Sequence, residues 1–319
     1  MIFLTCLALR VTWLSVLLLP LTGCSPNSSA PPASAVPAQQ SGHGLVWRVS
    51  GGPSAFFLAG SFHLLQASDY PLPGAYEIAW RESSHLVMEI APGDAQRPET
   101  TAGMKSLIHL SSGTLAERIT PATWQDLTTW AKKASHPIKS LETLTPWMAG
   151  LTVTVASVAR LGFKSEHGIE RHFTTRLTGS GKTTEGLETT LGQLALFNQI
   201  PTGQQEALLR QSLTEAHTLA EKAGTLTNAW RTGDADALYA AMSGSFRDYP
   251  QIKKLLLDDR NAAWLPRLEA LLQGDRSTMV LVGAGHLCGP GSIISLLEAK
   301  GYRCAQIRTQ APAGIRKAA

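Results

Sequence analysis

Two apolar runs at opposite ends of this chain stop at the same punctuation. Residues 55–59 lead into Gly60-Ser61-Phe62-His63, and residues 278–282 lead into Gly283-Ala284-Gly285-His286. Each phrase is Gly-x-x-His. An apolar run this short, ended by glycine, reads as a strand. The glycine permits close backbone approach and unusual dihedrals, so the histidine is delivered to the rim of a sheet. The fold must therefore be one in which two distant strand ends can converge.

The flanking pattern specifies that fold further. Residues 44–49 read as a strand, Gly51-Gly52-Pro53 as a turn and residues 54–59 as a second strand. Pro71 and Pro73 punctuate the next loop. Residues 74–83 have helical spacing, with Tyr76, Ile78, Ala79 and Trp80 as apolar members, and residues 85–90 form a strand with Glu89 near its end. The chain closes on strand 278–282, helix 289–300 stopped by Gly301, and strand 302–307. Between them, residues 100–266 carry Leu and Ala at helical spacings, broken at Pro137, Pro146, Gly162, Pro201 and Pro250. Helix starts stand at Thr120-Pro121 and Pro201-Thr202, and one short strand is expected near 183–186. The expected class is α/β: parallel-sheet strand–helix–strand units at both ends, flanking a large helical insertion over about 100–266. Ligands of open parallel sheets gather beyond the carboxyl ends of the strands, where His63, Glu89 and His286 all fall.

The termini read as export and tethering. Arg10 precedes an apolar stretch, 11–19, too short to span a bilayer comfortably. Leu21-Thr22-Gly23-Cys24 then looks like a bacterial lipobox, making residues 1–23 a lipoprotein signal peptide and Cys24 the lipidated N-terminus. A plain secretory signal or an uncleaved anchor are the alternatives. Residues 24–43, rich in Ser, Pro, Ala and Gln, form a tether; the domain runs over 44–310 and a flexible tail over 311–319. The expected location is the cell envelope, on the outer membrane facing the periplasm. Of the cysteines left, Cys288 and Cys304 are expected to pair as a disulfide in an oxidising compartment. The other readings are a metal ligand, since Cys288 follows His286 by two, or two buried thiols.

The net charge of +4 comes from scattered Lys and Arg, which argues against a nucleic-acid partner. Gly179-Ser180-Gly181-Lys182-Thr183 lacks the first glycine of a phosphate loop and reads as a turn before a strand. His167 and His172 are five apart, off one helical face. No Gly-x-Ser-x-Gly elbow is present, which sets a serine hydrolase aside.

Two histidines and a carboxylate suit a catalytic divalent metal with open positions. Imidazoles supply neutral nitrogen, and the carboxylate binds the metal or acts as base. Simple hydrogen bonding of each histidine to a neighbouring carbonyl is the competing reading.

These residues resemble a family. Leu58-Ala59-Gly60-Ser61-Phe62-His63, Leu86-Val87-Met88-Glu89 and Val282-Gly283-Ala284-Gly285-His286-Leu287, with Gly289 and Gly301-Tyr302, look like the TraB/GumN family. Gly168-Ile169-Glu170, Lys182, Gly186-Leu187-Glu188-Thr189, Gln193 and Arg260-Asn261 match too, though Ser61 stands where the family usually has Thr. The family is related to the Tiki metalloproteases and, more distantly, to the erythromycin esterase and ChaN folds. The resemblance implies an EreA/ChaN-like arrangement and a metal-dependent hydrolase of peptide or amide bonds. Its metal would be manganese or cobalt, with zinc or iron as other candidates. His63, His286 and Glu89 would be its ligands, with Glu89 and Arg260 in catalysis. Arg260 would bind an anion, stabilise a developing oxyanion or pair with a carboxylate. Glu170 and Glu188 would support the ligands or contact substrate, with helix capping and packing of the insertion as the alternative. The substrate would be a peptide or a small molecule. The alternative that the resemblance implies is a non-catalytic lipoprotein that holds haem or another ligand.

Overall fold

A computed structural model describes residues 42–216 and 218–309. The expected signal peptide, Cys24, most of the expected tether and the expected tail lie outside the described residues.

The chain builds a mixed α/β structure on one six-stranded sheet. Its strands are β1 (Val46–Ser50), β2 (Phe56–Ser61), β3 (His85–Ile90), β4 (Thr183–Glu188), β5 (Thr278–Gly283) and β6 (Arg303–Gln306). The spatial order is β4-β3-β5-β2-β1-β6. β4, β3, β5 and β2 run parallel. β1 is antiparallel to both β2 and β6, so the sheet is mixed rather than wholly parallel. The composition of each strand fits its place. β2 and β5 are buried along their whole length and β3 along nearly all of it, as near-continuous apolar runs require. The edge strands Thr-Thr-Glu-Gly-Leu-Glu and Arg-Cys-Ala-Gln are polar and partly exposed, which protects the sheet edges from pairing with other chains.

The α-helices of seven residues or more are α1 (Gly74–Glu82), α2 (Pro98–Ile108), α3 (Pro121–Ala134), α4 (Pro146–Ala159), α5 (Ile169–Arg176), α6 (Thr190–Asn198), α7 (Thr202–Glu215), α8 (Leu219–Thr232), α9 (Ala235–Phe246), α10 (Asp259–Gln273) and α11 (Ile293–Ala299). α3 and α4 carry proline in the first turn, where its missing N–H costs nothing. Thr120 caps α3, its Oγ accepting from Thr123 N. α4 is apolar nearly all round and lies in the middle of the helical layer, with Trp147 stacked on Phe197 of α6 at 4.7 Å.

The short strand expected near 183–186 is present as β4 and runs two residues further, to Glu188, at the edge of the sheet. One element differs from the sequence expectation. The final helix begins only at Ile293, because Gly289 and Gly291 take positive φ and make a turn that Ser292 then caps. His286 lies in a single 3-10 turn, Ala284–Leu287, directly after β5.

The connection order positions the site. β5, from the end of the chain, inserts between β2 and β3. The crossover from β2 through α1 to β3 therefore skips one strand position, and the carboxyl ends of β2, β5 and β3 lie side by side. Ser61 pairs with Gly283, and Met88 with Leu281. The residues just beyond, His63, His286 and Glu89, therefore lie at neighbouring strand ends on one rim of the sheet.

Candidate functional site

The β2 end is held from beneath. Tyr76 of α1 donates its hydroxyl to the Gly60 carbonyl, and Trp230 of α8 donates its indole N–H to that hydroxyl at 2.6 Å. Burial pushes the Tyr76 hydroxyl well above its ordinary pKa, so it stays a neutral donor. A Cβ on Gly60 would stand 3.1 Å from Ala284 Cα, so the glycine lets the turn that carries His286 press against β2.

His63 leaves this strand buried and meets Glu170. Its Nδ1 lies 2.9 Å from Glu170 Oε1, and Ser61 donates its hydroxyl to the same oxygen. Glu170 sits in the first turn of α5. That helix docks through Ile169 N–H, which donates to Phe62 O at 3.0 Å. Gly168 is what permits the docking, because a Cβ there would fall 2.3 Å from the His63 carbonyl oxygen.

The β5 and β3 ends form a second group. The two ring nitrogens of His286 are taken by consecutive residues of α10. Nδ1 lies 2.6 Å from Asn261 Oδ1, and Nε2 lies 2.8 Å from Arg260 Nη1. Asn261 uses its amide N–H on Gly291 O, so its oxygen accepts and His286 Nδ1 carries the proton. A guanidinium only donates, so Nε2 presents its lone pair and the ring is neutral. A π-helical turn, Lys254–Asp258, runs directly into α10 ahead of these two residues. Such bulges recur at functional sites because they re-aim the side chains that follow. Trp264, one turn on, lies under both groups, its ring 4.6 Å from the His286 ring and 4.6 Å from Arg260 Cζ.

Glu89 is fully occupied. Its Oε1 accepts from Gly283 N–H at 2.7 Å and lies 3.7 Å from His286 Nε2. Its Oε2 accepts from Arg260 Nη2 at 2.6 Å and from Gln193 Nε2 at 2.8 Å. Gln193 also donates to Glu188, so one amide bridges the two carboxylates. Glu188 in turn takes Arg260 Nη2 and, at 3.2 Å, Arg260 Nε. Burial opposes the charge on Arg260, but Glu89 and Glu188 outweigh it and raise its pKa above the ordinary value.

All three expected ligands thus lie at neighbouring strand ends; of the two expected supporting carboxylates, Glu170 touches His63, and Glu188 is linked to Glu89 only through Gln193 and Arg260. Among the described residues, no three His, Cys, Asp or Glu side chains form a ready metal-holding group. Of the three roles open to Arg260, carboxylate pairing is the one formed. Asn261 and Gln193 had no role from the sequence beyond standing in matching blocks, although the adjacency of Asn261 to Arg260 was a usable signal. Cys288 and Cys304 are free thiols, so the expected disulfide is not formed. Cys288 is buried just beyond the His286 turn and hydrogen-bonds Ala284 O, whereas Cys304 lies on edge strand β6. Burial pushes both thiols up to about 12. Lys182 donates to Ser83 O beyond the end of α1, and His172 lies against Glu77 and Arg176.

The E. coli (strain K12) protein "Uncharacterized protein YbaP" is 24% identical over 243 residues, 76% of this chain and 88% of its own. The Shigella flexneri protein of the same name is 24% identical over 241 residues, covering 76% and 87%. No solved structure matches the chain. The family model described as "TraB/PrgY/gumN family" matches residues 45–306, which takes in every strand and both Gly-x-x-His phrases, and the chain therefore belongs to that family.

Proposed function

We propose that this protein is a metal-dependent hydrolase of peptide or amide bonds, with His63, His286 and Glu89 holding the metal. The observation that carries the reading is the matched posture of the two histidines. Each follows the carboxyl end of one of two adjacent parallel strands, and each gives its Nδ1 to a side-chain oxygen, of Glu170 or of Asn261. Histidines that bind metals characteristically anchor one ring nitrogen in this way and turn the other to the ion. The donor chemistry therefore fits a divalent cation. Such an ion, when bound, supplies Lewis acidity.

The remaining work falls to the chain. Gly283 N–H and Gln193 orient Glu89. Glu170 and Asn261 fix the two imidazoles. Trp264 supports the face of His286 and limits water there. The Leu-Thr-Gly-Cys phrase supports an exported, lipid-anchored form through Cys24. No helix of the described residues is long and apolar enough to cross a membrane.

The test is elemental analysis of purified wild type, H63A and H286A, with peptide-library cleavage in the presence and absence of chelator. The expected result is a divalent metal in wild type, its loss from both variants, and cleavage that chelator stops. Protein that takes up no divalent metal and cleaves nothing would overturn the reading. Metal or haemin uptake without turnover would favour a ChaN-like binding protein instead.

A further inference from the structure

Arg260 binds three groups that are themselves the chemistry of a cation site: two carboxylates and an imidazole nitrogen. Its Nη2 reaches Glu89 and Glu188, its Nε reaches Glu188, and its Nη1 reaches His286 Nε2 at 2.8 Å. Arg260 and Glu89 are nearly fully buried, and His286 is completely so. The local charge is two carboxylates against one guanidinium, with His286 neutral.

We propose that Arg260 is a resident counter-cation: it occupies the place that a divalent metal takes, and metal entry displaces it from Glu89, Glu188 and His286. This rests on the metal reading above. The argument is one of charge and lone pairs. His286 Nε2 has a single lone pair, and Arg260 Nη1 uses it, so nitrogen cannot serve ion and guanidinium together. A dication added beside a retained guanidinium would put like charges together in a buried site, which is costly. A dication that replaces the guanidinium balances Glu89 and Glu188. Without any cation, the buried Glu89 and the partly buried Glu188 would be left bridged by Gln193 alone, so the metal-free chain needs a placeholder. Trp264, stacked on the guanidinium at 4.6 Å, offers a face on which the displacement can be read.

The test is calorimetric titration of manganese(II) into the purified full chain, for wild type, R260M and R260K, with melting curves with and without the ion. A placeholder competes with metal. R260M should therefore bind manganese at least about tenfold more tightly than wild type. It should melt lower than wild type without metal and gain more from it. R260K, whose single-point ammonium cannot serve all three partners, should also bind more tightly than wild type. It decides the matter if R260M does not fold. Wild-type tryptophan fluorescence should change on titration, and less so in R260K. If wild type binds manganese and both variants bind equally or more weakly, Arg260 is a supporting group and the inference fails while the metal reading stands. If no form binds manganese, both fail. Binding by R260M alone is the extreme of the expected result.

Discussion

His286 Nδ1 lies 2.6 Å from Oδ1 of Asn261, and that one contact fixes the tautomer of the histidine that follows β5. The contact is directional because Asn261 spends its amide protons on Gly291 O at 2.8 Å. The imidazole cannot turn over without leaving the buried Asn261 oxygen unpaired. Removing the oxygen with N261A should leave the fold in place and let His286 take either tautomer. Metal affinity should fall about 10- to 100-fold, the usual penalty for losing the partner of a ligating histidine. Titration of N261A beside wild type checks this; an unchanged affinity would remove Asn261 from the site.

Gly168 serves His63 as Asn261 serves His286, but through space rather than through a hydrogen bond. Any side chain at 168 meets the His63 carbonyl, which is backbone and cannot swing away. G168A should therefore destabilise the protein by about 1–3 kcal/mol, as overpacking does. It should also loosen the His63–Glu170 contact by pushing α5 off the strand end. Gly224, exposed in the middle of α8 with nothing near its Cβ position, is the control. G224A should stabilise by about 1 kcal/mol through helix propensity alone. Chemical denaturation of the two variants gives both signs; equal effects would show that the close approach at Gly168 is not rigid.

The sheet was readable in the sequence to a degree that the site was not. His85–Ile90 and the strands ending at Gly60-Ser61 and Gly283 are short apolar runs bounded by glycine or polar residues, and such runs are local signals. β4 was harder, because an edge strand reading Thr-Thr-Glu-Gly-Leu-Glu carries little apolar pattern, and its last residue, Glu188, is one of the two that grip Arg260. The strand order was not legible at all. Inserting β5 between β2 and β3 is a non-local event, and it is what brings Glu89 to Gly283 N–H. The three central residues could be named from strand ends. That Arg260 and Asn261 would divide the two nitrogens of one imidazole depended on the π-helical turn before them, for which residues 254–258 show no distinctive spacing.

The docking of α5 has a second fastening, and it sets a pH dependence. Arg176, at the end of α5, makes a two-pronged contact with Glu77 of α1, at 2.6 and 2.9 Å, with His172 Nε2 3.7 Å from the same carboxylate. His172 and Arg176 beside it lower the Glu77 pKa from 4.5 to about 2 despite partial burial. A carboxyl lowered in the folded state contributes stability above its unfolded pKa and loses that contribution as pH falls through its folded pKa. The stabilisation should thus be fully present above about pH 4.5 and disappear toward pH 2. The group is about half exposed, so the effect should be modest and weaken with salt. Melting temperatures of wild type and E77Q across pH 2–7 test it. E77Q should melt lower near neutrality, and the two curves should converge on the acid side. A gap that persists to the acid end would mean that the Glu77 contact stabilises by shape rather than by charge, and that α5 is held to α1 without the ion pair.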